Sequence, residues 1–436
     1  MKIAYCSPFS PIKSGISDFS EELVPELAKN KDVDIELFYN TPIENKAIAG
    51  KFAYHDISSL GDRGTADKFD VIVYHMGNNY NYHKCIADVF MKRPGILELH
   101  DLSLHNYIAA EKYLPNLIDE YLDIVEYCHG SSGVRIVREF LEGRAAEPWE
   151  THAMELTVNK HFIDNARGII VHSDAAKQMV KAARPEVPVI NIPLHVTDPK
   201  KISDEEKKRA KAKLSISDKC VVFGSFGFVT NNKRIYSALE ALARYKTNDF
   251  RYIIVGDILD TDINIEQKAK ELGIADKVII TGYVSLEQYN LYMSACDVCI
   301  NLRYPTNGES SANLQRILGM GIPAIVTDTG TFSEYPDCCT IKVSYDSTET
   351  DSILKAVRKI TDSRRDYERY RDNAAKFILE NADIKNNSKR YIDFFRDVIN
   401  GTFVETDVMD QILDAAIKNG FTNEEYLVEV CKKAQY

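Results

Sequence analysis

The sequence predicts an α/β protein: two doubly wound, Rossmann-like parallel-sheet domains in tandem, followed by a helical tail. Three observations carry that prediction. Short apolar runs alternate with helical stretches through both halves of the chain. At 436 residues the chain exceeds one comfortable core. The alternation breaks once, between Pro193 and Ser217, where His195, Pro199 and the charged run Asp204–Lys213 intervene. Domains are therefore expected over residues 1–197 and 198–380. Residues 381–436 are expected as C-terminal helices that cross back to the first domain and end in an appended helical pair.

Taken in order, the strands of the first half are expected at Lys2–Cys6, Asp34–Phe38, Val71–Tyr74, Ile96–Leu99, Gly168–Val171 and Val189–Ile192. Between the first two, Asp18–Lys29 sets Phe19, Leu23 and Leu27 on one helical face, with Asp18 and Glu21 spaced for a capping box. Residues 106–165 are long, charged and helical in pattern, an excursion from the sheet. Asp204–Lys213 is expected as a solvated helix that opens the second domain. Further strands follow at Val221–Phe226, Arg251–Val255, Val278–Thr281, Val298–Leu302, Ala324–Thr327 and Thr340–Val343, with helices such as Ile235–Tyr245 and Glu266–Leu272 between them.

Composition narrows the class. A net charge of −11 argues against a nucleic-acid partner, which wants a basic surface, but leaves small anions open. No apolar run approaches the ~20 residues that span a bilayer, and the N-terminus runs into a strand without a signal-peptide core. Nine scattered cysteines suggest reduced thiols. The expectation is a cytoplasmic protein, with peripheral contact at the inner membrane face left open.

Open α/β sheets bind ligands beyond the carboxyl ends of their strands, so five post-strand loops matter. The first holds Ser14 and Gly15 just before a helix, where a glycine lets backbone approach a ligand; a plain capped turn is the bland alternative. The second holds His75, Asn78 and Asn79, and the third His100 and Asp101; histidines at strand ends are more often structural. The fourth, Gly227 to Arg234, puts Lys233 and Arg234 at a helix N-terminus. Positive side chains there oppose the helix dipole unless an anion sits nearby, and a diphosphate would resolve the conflict. The fifth, with Arg303, Asn307, Gly308, Glu309, Ser310 and Ser311, opens onto a helix N-terminus inside a βαβ unit. An anion site with a carboxylate beside it suits a phosphate flanked by hydroxyls, as in a nucleotide or sugar phosphate.

Other signals are weaker. Cys296-Asp297-Val298-Cys299 has half-zinc-site spacing without a matching second pair, and core packing is the better reading. Asp260 and Asp262 read as a solvated loop. No metal is expected. Gly224 and Gly227 do not form a dinucleotide fingerprint, which lowers a dehydrogenase reading.

With Gly15, His100, Lys233 and Glu309 ahead of Gly321-Ile322-Pro323, the chain up to about Ile399 resembles glycosyltransferase family 4 of the GT-B fold, two such domains facing a cleft. GYVSLEQYNLYMSACDVCINLRYPTNGES (282–310) carries the resemblance in the second domain. HMGNN (75–79), RPGILELHDLSLHN (93–106), ARGIIVHS (166–173) and VINIPL (189–194) look like a bacterial subgroup associated with cell-surface polysaccharides. The resemblance implies a retaining, metal-independent hexosyltransferase that moves a sugar from a UDP- or GDP-sugar to a hydroxyl of a glycan, lipid-linked or protein acceptor. It needs no cofactor beyond that co-substrate. It implies catalytic roles for His100, Lys233 and Glu309. Donor contacts fall to Gly15, Gly227, Lys233, Arg234, Arg303, Asn307, Gly308, Glu309, Ser310 and Ser311, and acceptor-side or cleft positions to Ser14, Asn78, Asn79 and Asp101. Two positions depart from the family. Phe228 stands where an arginine usually follows the glycine, with Arg234 or Arg303 to compensate. Arg316 stands where the second glutamate should hold the ribose, and Glu334 is a distant substitute. A non-catalytic GT-B subunit and a sugar-nucleotide epimerase are the alternatives.

Overall fold

The computed structural model describes residues 1–246 and 249–404. The chain divides into two compact units: Met1–Ile192 together with the chain from Asn387 on, and Pro193–Asn386. The expected helical pair beyond residue 404 lies outside the described residues.

Unit 1 holds seven strands: β1 (Lys2–Cys6), β2 (Asp34–Tyr39), β3 (Ala53–Asp56), β4 (Val71–Met76), β5 (Ile96–Leu99), β6 (Gly168–Val171) and β7 (Val189–Asn191). All pairings are parallel, in the order β3-β2-β1-β4-β5-β6-β7. Unit 2 holds β8 (Val221–Phe226), β9 (Phe250–Val255), β10 (Val278–Ile280), β11 (Val298–Asn301), β12 (Ala324–Thr327) and β13 (Thr340–Val343). These too are parallel, in the order β10-β9-β8-β11-β12-β13. Parallel strands covered by helices on both faces need apolar residues on both, which is why the runs read as continuous rather than alternating. In unit 2 the two faces separate cleanly: Phe223, Tyr252, Ile254 and Ile300 join one core, and Val222, Ile253, Val255 and Cys299 join the other.

This strand order positions the site. Each sheet starts in its middle, winds outward one way, then returns and winds the other. The direction of winding therefore reverses between β1 and β4 in unit 1, and between β8 and β11 in unit 2. At such switch points neighbouring post-strand loops diverge and leave a crevice at the carboxyl ends. The loops after β8 and β11 are the ones holding Lys233 and Glu309.

Several expectations are corrected. Edge strand β3, which is not among the expected strands, is four largely exposed residues that only pairing with β2 defines. The first helix starts at Gly15, capped by Ser14, whose hydroxyl accepts the Ile16 N–H at 3.1 Å. Glu21 instead accepts the Ser10 N–H at 2.8 Å, so no capping box forms with Asp18. The helix Asp204–Lys213 is not simply solvated. Lys207 and Lys211 are buried and reach Asp297 at 3.2 and 2.6 Å, fixing the helix to the start of β11. Ser203 and Glu206 form its capping box.

Candidate active site

The loop after β8 begins at Gly227, which has φ +86°. A Cβ there would lie 2.7 Å from Asn313 Nδ2 and 2.9 Å from Lys233 Nζ. Glycine thus meets both a left-handed backbone and a steric need, and its bare Cα lets those two side chains close over it. The loop turns through Asn231–Lys233 and is tied down by Asp260, which accepts the Asn231 N–H at 2.6 Å, and by Asp262, which accepts from Asn231 Nδ2 at 3.1 Å. The acidic pair read as a solvated loop is therefore an anchor for this turn.

Lys233 Nζ donates to the Phe226 carbonyl at 2.8 Å. Burial, then the nearby Arg303 guanidinium, hold its ammonium well below the usual lysine range, while Glu309 partly offsets this. Two basic side chains and one carboxylate are thus gathered at the β8–β11 switch point. An anion placed beside Lys233 would favour its charged form.

Glu309 is held from three sides. Its Oε2 accepts from the Thr306 hydroxyl at 2.8 Å and from the Asn307 N–H at 2.7 Å, and Arg303 Nε lies 3.0 Å from Oε1 as an ion pair without hydrogen-bond alignment. Its carbonyl accepts from Thr331 Oγ1 at 2.7 Å. Gly308, at φ +74°, makes the turn that folds this carboxylate back, and its N–H donates to Thr306 Oγ1. Arg303 is itself placed by its N–H to Thr327 Oγ1 at 2.9 Å and by Nη1 to Asn232 Oδ1 at 3.3 Å, which joins the two loops. The helix Ala312–Gly319 follows, with Ser310 before it and the buried Ser311 as its N-cap, accepting the Leu314 N–H. Asn313 accepts from Tyr289 OH at 2.7 Å and points Nδ2 at the Phe226 carbonyl.

The two candidate compensating arginines separate here. Arg234, in a left-handed conformation, sends Nε and Nη2 to the buried Glu349 at 3.1 and 2.6 Å, and that carboxylate holds its guanidinium. Arg303 is the cation beside Lys233. Thr306, Asn313 and Glu349 were not singled out from sequence. Thr306 and Asn313 carry no charge signal, and Glu349 lies 115 residues from its partner. Phe228 is partly exposed, and Arg316 is half-buried within the helix.

In unit 1 Ser14, Asn78, Asn79 and Asp101 hold backbone groups. Ser14 caps the helix that Gly15 begins, and a Cβ on Gly15 would meet nothing within 4 Å. Asp101 accepts the Asn78 N–H at 2.8 Å, Asn78 Oδ1 accepts the Tyr107 N–H at 3.0 Å, and Asn79 caps the helix Tyr80–Phe90. His100 shares a 3.0 Å contact with His75 through ring nitrogens and meets the Phe19 ring edge-on at 5.0 Å. Beneath them lies Glu98, fully buried; burial pushes its carboxyl up to about 8, against a Tyr391 hydroxyl bond that lowers it. Among the described residues, one donor atom each from His75, Glu98 and His100 lies within 4.8 Å of the other two.

Residues 206–377, within unit 2, match the model of the family described as Glycosyl transferases group 1. No curated protein matches the sequence. Among solved structures, the chain is similar to Anabaena Alr3699/HepE in complex with UDP, at 15% identity and a TM-score of 0.65, covering 91% of this chain and 100% of that one. It is also similar to sucrose-phosphate synthase from Thermosynechococcus elongatus (16% identity, TM-score 0.64, covering 92% and 100%). A third is WaaG, a glycosyltransferase involved in lipopolysaccharide biosynthesis (14%, 0.60, covering 90% and 99%). The fold is therefore GT-B, and fold and family match together support a glycosyltransferase. No described helix is long and apolar enough to cross a membrane.

Proposed function

We propose that the protein is a retaining glycosyltransferase that moves a hexose-type sugar from a nucleotide-sugar donor to a hydroxyl of a glycan, glycolipid or protein acceptor. The observation that carries this is the Lys233–Arg303–Glu309 constellation, set in front of a helix N-terminus at the β8–β11 switch point. Glycosyl transfer builds negative charge on the leaving diphosphate. Lys233, Arg303 and the N–H groups opening the helix Ala312–Gly319 supply positive potential already in place for it, so the donor needs no metal in this reading. Glu309, fixed by Thr306 and Asn307, orients sugar hydroxyls. Arg303 takes the place of the arginine that Phe228 displaces, and Arg234 supports the loop through Glu349. His100, from unit 1, orients the transferred sugar and helps exclude water. HepE structures containing UDP and UDP-glucose support a uridine nucleotide as the first donor to test.

A thermal-shift panel of UDP, GDP, ADP and their sugars tests donor binding, since a ligand of the native state raises the melting point. NMR of the product's anomeric proton tests retention. Arg316 at the expected ribose position favours a second reading, a non-catalytic subunit. Absence of both nucleotide binding and donor hydrolysis, with a second transferase co-purifying, would support that. An epimerase would instead convert the donor's sugar with no acceptor present.

A further inference from the structure

Resting on the transferase reading of the same site, we propose that the side-chain amide of Asn313 is a further ligand of the donor's diphosphate, with Tyr289 as the residue that positions it. Every residue involved belongs to unit 2.

The orientation of the amide is fixed by its neighbours. Asn313 is the second residue of the helix Ala312–Gly319, and its side chain reaches from that helix to the end of β8. Nδ2 lies 3.4 Å from the Phe226 carbonyl, which can only accept, so the nitrogen rather than the oxygen faces it. On the other side Oδ1 accepts from the Tyr289 hydroxyl at 2.7 Å. The Tyr289 ring meets the Phe226 ring edge-on, with centroids 5.4 Å apart. Phe226 therefore offers its carbonyl to the amide and its ring to the tyrosine that orients the amide.

More donors than acceptors converge here. A carboxamide nitrogen carries two N–H groups and an ammonium three. Asn313 Nδ2 and Lys233 Nζ each find one acceptor among the described residues. It is the same one, the Phe226 carbonyl, at 3.4 and 2.8 Å. The remaining N–H groups have no protein acceptor, and both nitrogens lie over one bare Cα: a Cβ on Gly227 would be 2.7 Å from Nδ2 and 2.9 Å from Nζ. A diphosphate supplies charged acceptor oxygens for donors grouped in this way. The 3.4 Å contact is near the long limit of a hydrogen bond, so the amide gives up little in turning to an anion.

Charge explains why an amide suits this position. Burial, with Arg303 adding repulsion, already holds the Lys233 ammonium well below the usual lysine range. A third cation would add to that repulsion, whereas a carboxamide adds a donor without charge. Glu309 does not compete for it, because its carboxylate is engaged by Thr306, Asn307 and Arg303. In the donor-bound state both Lys233 and Asn313 turn from the Phe226 carbonyl to phosphate oxygens.

Calorimetry on the full-length chain measures binding of UDP, GDP and ADP, with the parent nucleoside followed by ligand-observed NMR as the control. For the diphosphate that the wild type binds, Asn313→Ala should weaken binding about 10- to 100-fold, the scale of a lost hydrogen bond to a charged group. Nucleoside affinity and melting temperature should stay near wild type. Asn313→Asp should weaken diphosphate binding further, because a carboxylate then faces the phosphates, yet keep the melting temperature by pairing with Lys233. This near-isosteric variant gives the comparison if Asn313→Ala does not fold. Tyr289→Phe should cost a few-fold, and adding it to Asn313→Ala should cost nothing more, since the tyrosine acts through the amide. Diphosphate binding within about twofold of wild type in both Asn313 variants overturns the proposal. Equal losses for nucleoside and diphosphate overturn it too, and additive losses in the double variant remove the role of Tyr289. A wild-type chain that binds none of the three nucleotides overturns this proposal and the transferase reading together, which tells the two failures apart.

Discussion

The polar groups at the strand ends of the two units are built in opposite ways. In unit 2, the loops after β8 and β11 gather charged groups, Lys233, Arg303 and Glu309, and hold them with neutral hydroxyls, amides and backbone. In unit 1, the ends of β4, β5 and β6 gather imidazoles around one buried carboxyl. Nine of the ten histidines in the sequence precede Ile192, and only His195 falls in unit 2. Ionisable side chains dominate the first group, and aromatic imidazole rings the second. The same doubly wound architecture therefore hosts two kinds of electrostatics, and loop residues rather than strands decide which.

Experiments can break or sharpen that contrast. The largest stability effect is expected away from both switch points, at the start of β11. Asp297→Ala strands Lys207 and Lys211 as buried, unpaired charges and should cost about 3–5 kcal/mol in denaturant unfolding of unit 2. A cost below about 1 kcal/mol would mean those lysines relax into water.

Next come the charged residues of the site. Lys233→Ala and Glu309→Ala should each lower donor turnover by at least ~10²-fold, the scale of a lost charge-stabilising group. Arg303→Met should do likewise, while Arg234→Met should act mainly on stability by exposing the buried Glu349 to an unpaired state. Near-normal turnover in the first two variants would remove the transferase assignment. Equal kinetic losses for both arginines would erase the distinction drawn between them.

Acid should separate the units by smaller steps. Burial holds His83 at about 4, His161 at about 4 and His105 at about 3, all below the ordinary 6.5. The unfolded chain therefore takes up these protons first. The stability they contribute is complete above pH 6.5 and is lost as pH falls toward 4 and then 3. The slope is about 1.4 kcal/mol per pH unit for each histidine. In unit 2, the Arg371 guanidinium holds Asp204 below its ordinary 3.8, so that contribution persists to lower pH. Hydrogen exchange followed by mass spectrometry between pH 7 and 4 should show unit 1 opening first; simultaneous opening would contradict this. The smallest effect belongs to Ser14→Ala, about 1 kcal/mol for a lost N-cap, read as a shift in the unit 1 transition.

Much of this was legible in the residues. Apolar runs such as Ile96–Leu99 and Ala324–Thr327 mark strands because a parallel strand is buried on both faces, and the structure returns them with the same ends. A helix start near Ser310 or Ser311, and Cys296 and Cys299 as core residues, were legible for similarly local reasons. Strand β3 was not, because an exposed four-residue edge has no apolar signature. The solvated reading of Lys207 and Lys211 failed because their partner Asp297 is distant in sequence.

By itself, then, the sequence determined the alternation of buried strands and helices, and which loops carry unusual polar residues, since both depend on neighbours within a few positions. Only the tertiary structure decided partnership. Arg303 and Arg234 are equally basic in the sequence, yet strand order places one beside Lys233 and the other against Glu349. His75, His100 and His172 look like three separate strand-end histidines until β4, β5 and β6 lie side by side around Glu98. Charges and rings act at distances of a few ångströms, and the order of strands in the sheet sets those distances.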